Sequence, residues 1–386
     1  MAEDKAPEYQ GFEQGPIRPP SEASSLLIRV TRNCPWNRCT FCPVYKGSRF
    51  SQRPVEHVIA DIDAVHESLA GIFKASGGMS GIPAREIAEG VGFVPPDRHE
   101  AFYAALSWYL AGMESVFLQD ANSLIIKPQD LIRILRHLRV RFPWVKRVTS
   151  YARSRTVARI KPEDLSAMAD AGLNRIHIGM ESGSDKVLAR VCKGVTKADH
   201  VTAGQKVKQA KMELSEYVMP GLGGRDLSSE HARQTADALN RINPDFIRLR
   251  TLAVPPGTPL FEEFSAGSFE LCPEVMVVEE ILLFLQNLKG VTAMVKSDHI
   301  LNLLEGLEGR LPEDKEAMEN VARSFLALNP KDRTVYQVGR RMGLFGTIAE
   351  LKDSHKVAQA ESVISRLGIT PENADNVLYQ LMQRFI

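Results

Sequence analysis

The sequence predicts an α/β protein, a partial (β/α)6 barrel of the TIM type with a helical C-terminal domain. Two patterns carry that prediction. From residue 26 to about 252, short β-branched runs alternate with amphipathic helical stretches, and from about 313 onward the chain reads as helix alone. A third observation sets the size: six strand–helix units fall short of the eight that close a barrel. The elements follow in order. Residues 1–24 are polar and proline-rich, lack an apolar signal core and read as a flexible N-terminal arm. The barrel is assigned to 25–300, with strands over 26–31, 115–118, 145–151, 175–180, 214–219 and 246–252. Helical periodicity falls between them at 55–73, 129–140, 162–171, 197–210 and 229–242. Residues 75–112 exceed any plain β/α connection and form an insertion, read either as a lid or as a helix covering a sheet edge. After the sixth strand the run Pro255-Pro256-Gly257-Thr258-Pro259 makes a rigid turn, followed by a helix over 273–288 and a last short strand over 291–295. The helical domain is assigned to 301–386. Its final helix has Gly368 behind it and Thr370-Pro371-Glu372 as its start, with Ala374, Val377, Leu378, Leu381, Met382 and Phe385 on one face.

Composition narrows the class. The 386 residues carry 44% hydrophobic and 25% charged residues, and no apolar run approaches the roughly 20 residues needed to span a bilayer. A net charge of +1 supplies no global field for nucleic acid or a membrane surface. The C-terminal segment from Glu313 balances ten basic against ten acidic residues and reads as a packing domain. Five cysteines, three of them bunched, do not make a disulfide framework, so the expected compartment is the reducing cytoplasm. Cys192 and Cys272 read as lone thiols.

The bunched three are Cys34, Cys39 and Cys42, a C-x4-C-x2-C run just past the first strand. Thiolates so close on one loop can converge on one point. With no fourth cysteine nearby, an iron–sulfur cube held here would keep one iron without a protein ligand. Structural zinc is a rival, but it takes four ligands that usually arrive as two separated pairs, and no second pair exists. His57 is the nearest downstream histidine and lies within a predicted helix. A ferredoxin-like carrier needs a fourth cysteine to close its cluster.

With six β/α units behind it, this loop resembles that of the radical S-adenosylmethionine (SAM) superfamily, over roughly residues 26–261. The aromatic Phe41 before the last cysteine, the segment Gly179-Met180-Glu181-Ser182-Gly183-Ser184 with Lys193-Gly194-Val195-Thr196, and the turn Pro256-Gly257-Thr258-Pro259-Leu260 carry the likeness. They are most similar to the branch holding oxygen-independent coproporphyrinogen oxidase, the Elongator-type enzymes and the methylthiotransferases. The usual spacing is C-x3-C-x2-C, and the extra residue here leaves the subfamily unassigned. The resemblance implies an enzyme that reductively cleaves SAM at a [4Fe–4S] cluster on Cys34, Cys39 and Cys42, giving a 5′-deoxyadenosyl radical that acts on an unidentified substrate. It implies an external one-electron reductant of the flavodoxin or ferredoxin kind. Phe41 would stack near adenine, Glu181 would accept the ribose hydroxyls, and Lys193 would pair with the SAM carboxylate. Asp120 and Asn122 end the second strand, where the family often carries a Gly-Gly-Glu motif for the methionine amino group. That motif is absent, and Asp120 still offers a carboxylate there. Arg153, after the third strand, offers a guanidinium fork to a carboxylate. Glu216, in the fifth strand, would reach ribose or substrate if the register turns it inward, and the turn Pro220-Gly221-Leu222-Gly223-Gly224 would line adenine. No residue is assigned a catalytic role beyond these contacts.

Between Leu131 and Ile160 nine residues are basic and none acidic. Read functionally, this is a site for an anionic substrate, and within the superfamily it would fit a tRNA-modifying enzyme. Read structurally, it is a solvated face whose acidic partners come from elsewhere, and the neutral overall charge favours that reading over nucleic-acid binding. The different-class alternative is a non-catalytic iron–sulfur or zinc scaffold or electron carrier.

Overall fold

The structure is a computed structural model and describes residues 8–77, 81–370 and 373–382. Its strands are β1 (Leu26–Arg29), β2 (Thr31–Arg32), β3 (Ser51–Gln52), β4 (Ser115–Gln119), β5 (Arg147–Ala152), β6 (Arg175–Glu181), β7 (Glu213–Val218), β8 (Phe246–Leu249), β9 (Met294–Lys296) and β10 (Gly309–Arg310). Its helices are α1 (Val55–Ser76), α2 (Ala84–Val91), α3 (His99–Leu110), α4 (Pro128–Arg141), α5 (Ser154–Arg159), α6 (Pro162–Asp170), α7 (Asp185–Arg190), α8 (Lys197–Gln209), α9 (Gly224–Ile242), α10 (Pro259–Ser265), α11 (Glu274–Asn287), α12 (Lys315–Leu326), α13 (Pro330–Arg341), α14 (Ser354–Leu367) and α15 (Ala374–Met382). Strand hydrogen bonding runs in the order β1-β4-β5-β6-β7-β8-β9-β10, and β2 and β3 pair separately as a small hairpin. Neighbours β1–β4, β4–β5, β7–β8 and β8–β9 are parallel, while β9–β10 is antiparallel. The expected fold class holds: mixed α/β, a partial TIM-type barrel with helical C-terminal elements.

The chain divides into two compact units. The first comprises 1–37, 44–177 and 206–213, and the second 38–43, 178–205 and 214–386. In the first, every residue of β4 is buried, as expected for a strand covered on both faces. Helix α1 lays Val58, Ile62, Val65, Leu69 and Ile72 into the core at helical spacing and stops at Gly77, which is left-handed at φ +59°. The 75–112 insertion folds as α2 and α3, and α3 packs along α1 and β1, the first strand in the sheet order, so it covers an edge. Gly78, Met79 and Ser80, in its glycine-rich start, lie outside the described residues. In the second unit Val187, Val191, Met219, Leu222, Leu252, Val254, Leu260 and Phe269 form a buried cluster, and α9 and α12 both pack on α11.

Four expectations need correction. The arm is not loose over its described part: the Tyr9 hydroxyl donates to Asp61 at 2.8 Å, Glu13 bridges Arg32 and Arg53 at 2.8 Å each, and Gly15 N–H reaches the Gln119 side chain. Polar side chains anchor it where apolar ones are missing. No break falls at residue 300, because β10 extends the sheet beyond it. The sixth barrel strand ends at Leu249 rather than 252, since Asn302 takes both the backbone N–H and the hydroxyl of Thr251. Helices α5, α7 and α10 were not expected, being only six or seven residues each, too short to show a period. The start of the last helix at Pro371-Glu372 and its Phe385 lie outside the described residues.

Candidate cofactor site

The cysteine loop is the connection of the β2–β3 hairpin, whose two-residue strands are too short to be stable alone. It is held from within the first unit by one carboxylate. Asp120, immediately after β4 and fully buried, takes the Arg29 guanidinium at 2.7 Å, the Asn33 backbone N–H at 3.1 Å and the Tyr45 hydroxyl at 2.5 Å. Asn33 precedes Cys34 and Tyr45 lies three residues after Cys42, so the clamp grips both stems of the loop. Asn33 and Asn37 sit at φ +66° and +46°, left-handed geometry that asparagine tolerates better than most residues. The Asn37 N–H donates to Cys34 Sγ at 3.4 Å. Asp120 therefore has both oxygens committed inside the protein. The sequence expectation of an ammonium contact gives way to a positioning role.

Asn122 is also committed: its Oδ1 accepts the Arg153 N–H at 3.0 Å and its Nδ2 donates to Thr156 Oγ1 at 2.9 Å, which fastens the end of β4 to the start of α5. Arg153 itself lies over the Trp36 ring, its Cζ 5.1 Å from the centroid, so one residue of the cysteine loop and one guanidinium share a face.

In the second unit the loop residues 38–43 are fixed by backbone bonds from Thr40 N–H to Val191 and from Leu260 N–H to Thr40. Phe41 packs on the apolar cluster, and Lys193 Nζ stands 5.7 Å from its ring centroid. The same ammonium pairs with Glu181 Oε1 at 3.0 Å, both side chains being largely buried. Glu181 ends β6 at φ +62°, a strained conformation for a residue with a Cβ. Gly179 makes the pair fit, since a Cβ there would fall on Glu181 Oε1 and within 3.3 Å of Lys193 Nζ. Phe41, Glu181 and Lys193, 140 and 12 residues apart in order, are thus brought together.

Glu216, in β7, completes this group. It is fully buried, and among the described residues neither of its carboxylate oxygens has a hydrogen-bond partner. Burial pushes its pKa well above the ordinary carboxyl value, the Glu181 charge pushes it further, and Lys193 only partly offsets the two. An orphaned buried acid costs stability, and such groups mark places where a ligand supplies the missing partner.

Sequence reasoning missed Arg29 and Tyr45, and it missed the support behind the Pro220–Gly224 turn. There Glu280 accepts the Gly221 N–H at 2.8 Å and the Ser228 hydroxyl at 2.5 Å. His231 bridges Ser182, at 2.8 Å, to the Met219 carbonyl, at 3.0 Å. No local motif marks either, because the partners come together only through folding. In the basic stretch, Arg133 pairs with Glu56, Arg141 with Asp63, Lys146 with Glu114 and Arg147 with Glu22. Arg139 binds the carbonyls of Val145 and Gly172. With Arg153 over Trp36, at least six of the nine basic residues are thus engaged within the protein.

Among the described residues no group of three or more His, Cys, Asp or Glu is gathered to hold a metal ion, so the cysteines' role rests on sequence rather than on preformed geometry. Residues 28–236, more than half of the chain, match the Radical SAM superfamily. The chain belongs to that superfamily. It is similar to tRNA uridine(34) acetyltransferase of Methanocaldococcus jannaschii, 24% identical over 120 residues, 31% of this chain and 22% of that protein. It is similar also to tRNA-2-methylthio-N(6)-dimethylallyladenosine synthase of Hahella chejuensis, 24% identical over 270 residues, 67% of this chain and 50% of that protein. The chain thus spans about a fifth to a half of the length of these relatives. Among solved structures, coproporphyrinogen III oxidase from Escherichia coli aligns with a TM-score of 0.43 at 15% identity, covering 68% of this chain and 52% of that one. Radical SAM proteins are enzymes that use a [4Fe–4S] cluster and SAM, and they need a reductant and a substrate. The residues of this radical SAM protein fit those cofactors: none of the three cysteines is in a disulfide, and among the described residues the buried Glu216 carboxylate has no hydrogen-bond partner.

Proposed function

We propose that this chain is a radical SAM enzyme that holds a [4Fe–4S] cluster on Cys34, Cys39 and Cys42 and binds SAM beside it. When bound and reduced, the cluster supplies one electron for cleavage of SAM to methionine and a 5′-deoxyadenosyl radical. The chain's own residues bind and orient. Glu181 accepts the ribose hydroxyls, Lys193 shields its charge and reaches toward the SAM carboxylate, and Arg153 offers a second carboxylate contact. Phe41 lends a ring face to adenine, and Glu216, neutral when buried alone, donates or accepts a hydrogen bond to a polar group of the bound molecule. Asp120 and Asn122 position the loop and α5 instead of touching SAM. The external electron source is a flavodoxin- or ferredoxin-like protein, and the compartment is the reducing cytoplasm, where the thiols stay available. No helix among the described residues is long and apolar enough to cross a membrane.

The observation that carries this reading is the cysteine run inside the matched region. The test is anaerobic reconstitution with iron and sulfide, reduction, and addition of SAM. Formation of 5′-deoxyadenosine, with a SAM-dependent change in the cluster's EPR signal, supports the proposal. Absence of both returns the protein to the scaffold or electron-carrier class. A tRNA substrate is a second reading, favoured by the relatives that act on tRNA and weakened by the internal pairing of the basic stretch.

A further inference from the structure

A cavity of about 410 Å³ lies within the second unit, at the ends of β7 and β8 where Pro220, Gly221 and residues 251–253 leave the sheet. That end of an α/β sheet is where loops build ligand sites. Leu252 and Phe269 line its inner wall, and α15 closes the other side with Leu378, Tyr379 and Met382. Helix α15 is fastened there by the Tyr379 hydroxyl, which donates to the Val254 carbonyl at 2.8 Å, and by the Tyr379 ring, 5.2 Å from that of Phe264. Most of the lining lies beyond the family-matched residues 28–236.

The polar rim decides what it takes. Glu274 is neutralised by Arg341, whose Nε lies 2.7 Å from its Oε1, and by Gln337 on its other oxygen. Arg225 leans on Glu270, 3.8 Å away, and on the Leu271 carbonyl. That leaves Asp375 in the first turn of α15, with no hydrogen bond or ion pair among the described residues. We infer that this cavity binds a small amphipathic amine, its aromatic or branched apolar body between Leu252, Phe269 and α15 and its ammonium on Asp375. Asp375 itself is exposed at the rim, open to an entering cation; partial desolvation and the neighbouring Glu274 raise its pKa, with Arg225 opposing.

The inference stands apart from the SAM-cleavage reading, because its test needs neither cluster nor SAM. Tryptamine and indole-3-propionate share one ring system and differ in the sign of the head group, so titration calorimetry of each into the whole apoprotein isolates the charge. The expected result is saturable tryptamine binding at least tenfold tighter than indole-3-propionate, about 1.4 kcal/mol. Asp375→Asn removes that preference, and Ala253→Trp, which fills the cavity from a loop, removes binding while circular dichroism and thermal unfolding stay native. Equal affinity for both probes, no binding of tryptamine, or tryptamine binding that survives Ala253→Trp overturns the inference.

Discussion

Asp120 and Glu216 are both carboxylates with no exposed surface, and their situations are opposite. In the first unit Asp120 receives a guanidinium, a backbone N–H and a phenol. In the second, Glu216 receives no hydrogen bond among the described residues, and the charges acting on it are another carboxylate and a partly compensating ammonium. A satisfied buried acid is structure; an unsatisfied one calls for a further explanation, and under the proposal above it is a partner in the bound molecule. The difference separates the residues that shape the cysteine loop from those proposed to meet the bound molecule, although both acids sit on or just after barrel strands.

Substitution breaks the comparison most sharply at Asp120. Asp120→Ala strands the Arg29 cation and the Tyr45 hydroxyl together, and a loss of about 3–5 kcal/mol is expected in urea unfolding. Iron incorporation should fall with it. If stability drops by less than about 1 kcal/mol, the clamp is not holding the loop.

Glu216→Met should act in the opposite direction on the apoprotein, raising stability by about 1–3 kcal/mol, the penalty of an unpaired buried polar group. SAM affinity should fall by roughly tenfold or more by equilibrium dialysis. A pH series sharpens this. Because the folded pKa of Glu216 is raised above 4.5, its contribution is fully present below that pH and is lost as pH rises toward the folded value. The stability gap between Glu216→Met and the parent protein should therefore widen from pH 4.5 upward. A gap that stays constant with pH would mean that Glu216 titrates normally. The smallest effect is expected from Gly179→Ala, whose methyl displaces the Glu181 carboxylate. About 1 kcal/mol of stability should be lost, with SAM binding weakened severalfold, and unchanged binding would exclude Glu181 from the ligand.

Much of this was legible in the chain. Parallel strands announce themselves as apolar runs, so β4 and β6 were placed within a residue or two. The three cysteines needed only their spacing. Glu181 was visible because it ends an apolar strand before a Gly turn. Glu216 was legible only up to its register, since side-chain alternation says which residues share a face but not which face turns inward. Asp120 was misjudged for another reason: a carboxylate after a strand looks the same whether its cation is a ligand or Arg29, and Arg29 and Tyr45 lie 91 and 75 residues away. The short helices α5, α7 and α10 left no period to detect.

The clamp also sets an order of events. Cys34, Cys39 and Cys42 leave the ribosome long before Asp120 does, and the β2–β3 hairpin is too short to close without it. During synthesis the thiols therefore pass through an interval on an open tether, reachable by an assembly factor or an oxidant alike. The arm residues that grip Arg32 and Arg53 are already in place, so Asp120 closes the stems of the loop, and residues 38–43 are fixed only once Val191 and Leu260 arrive.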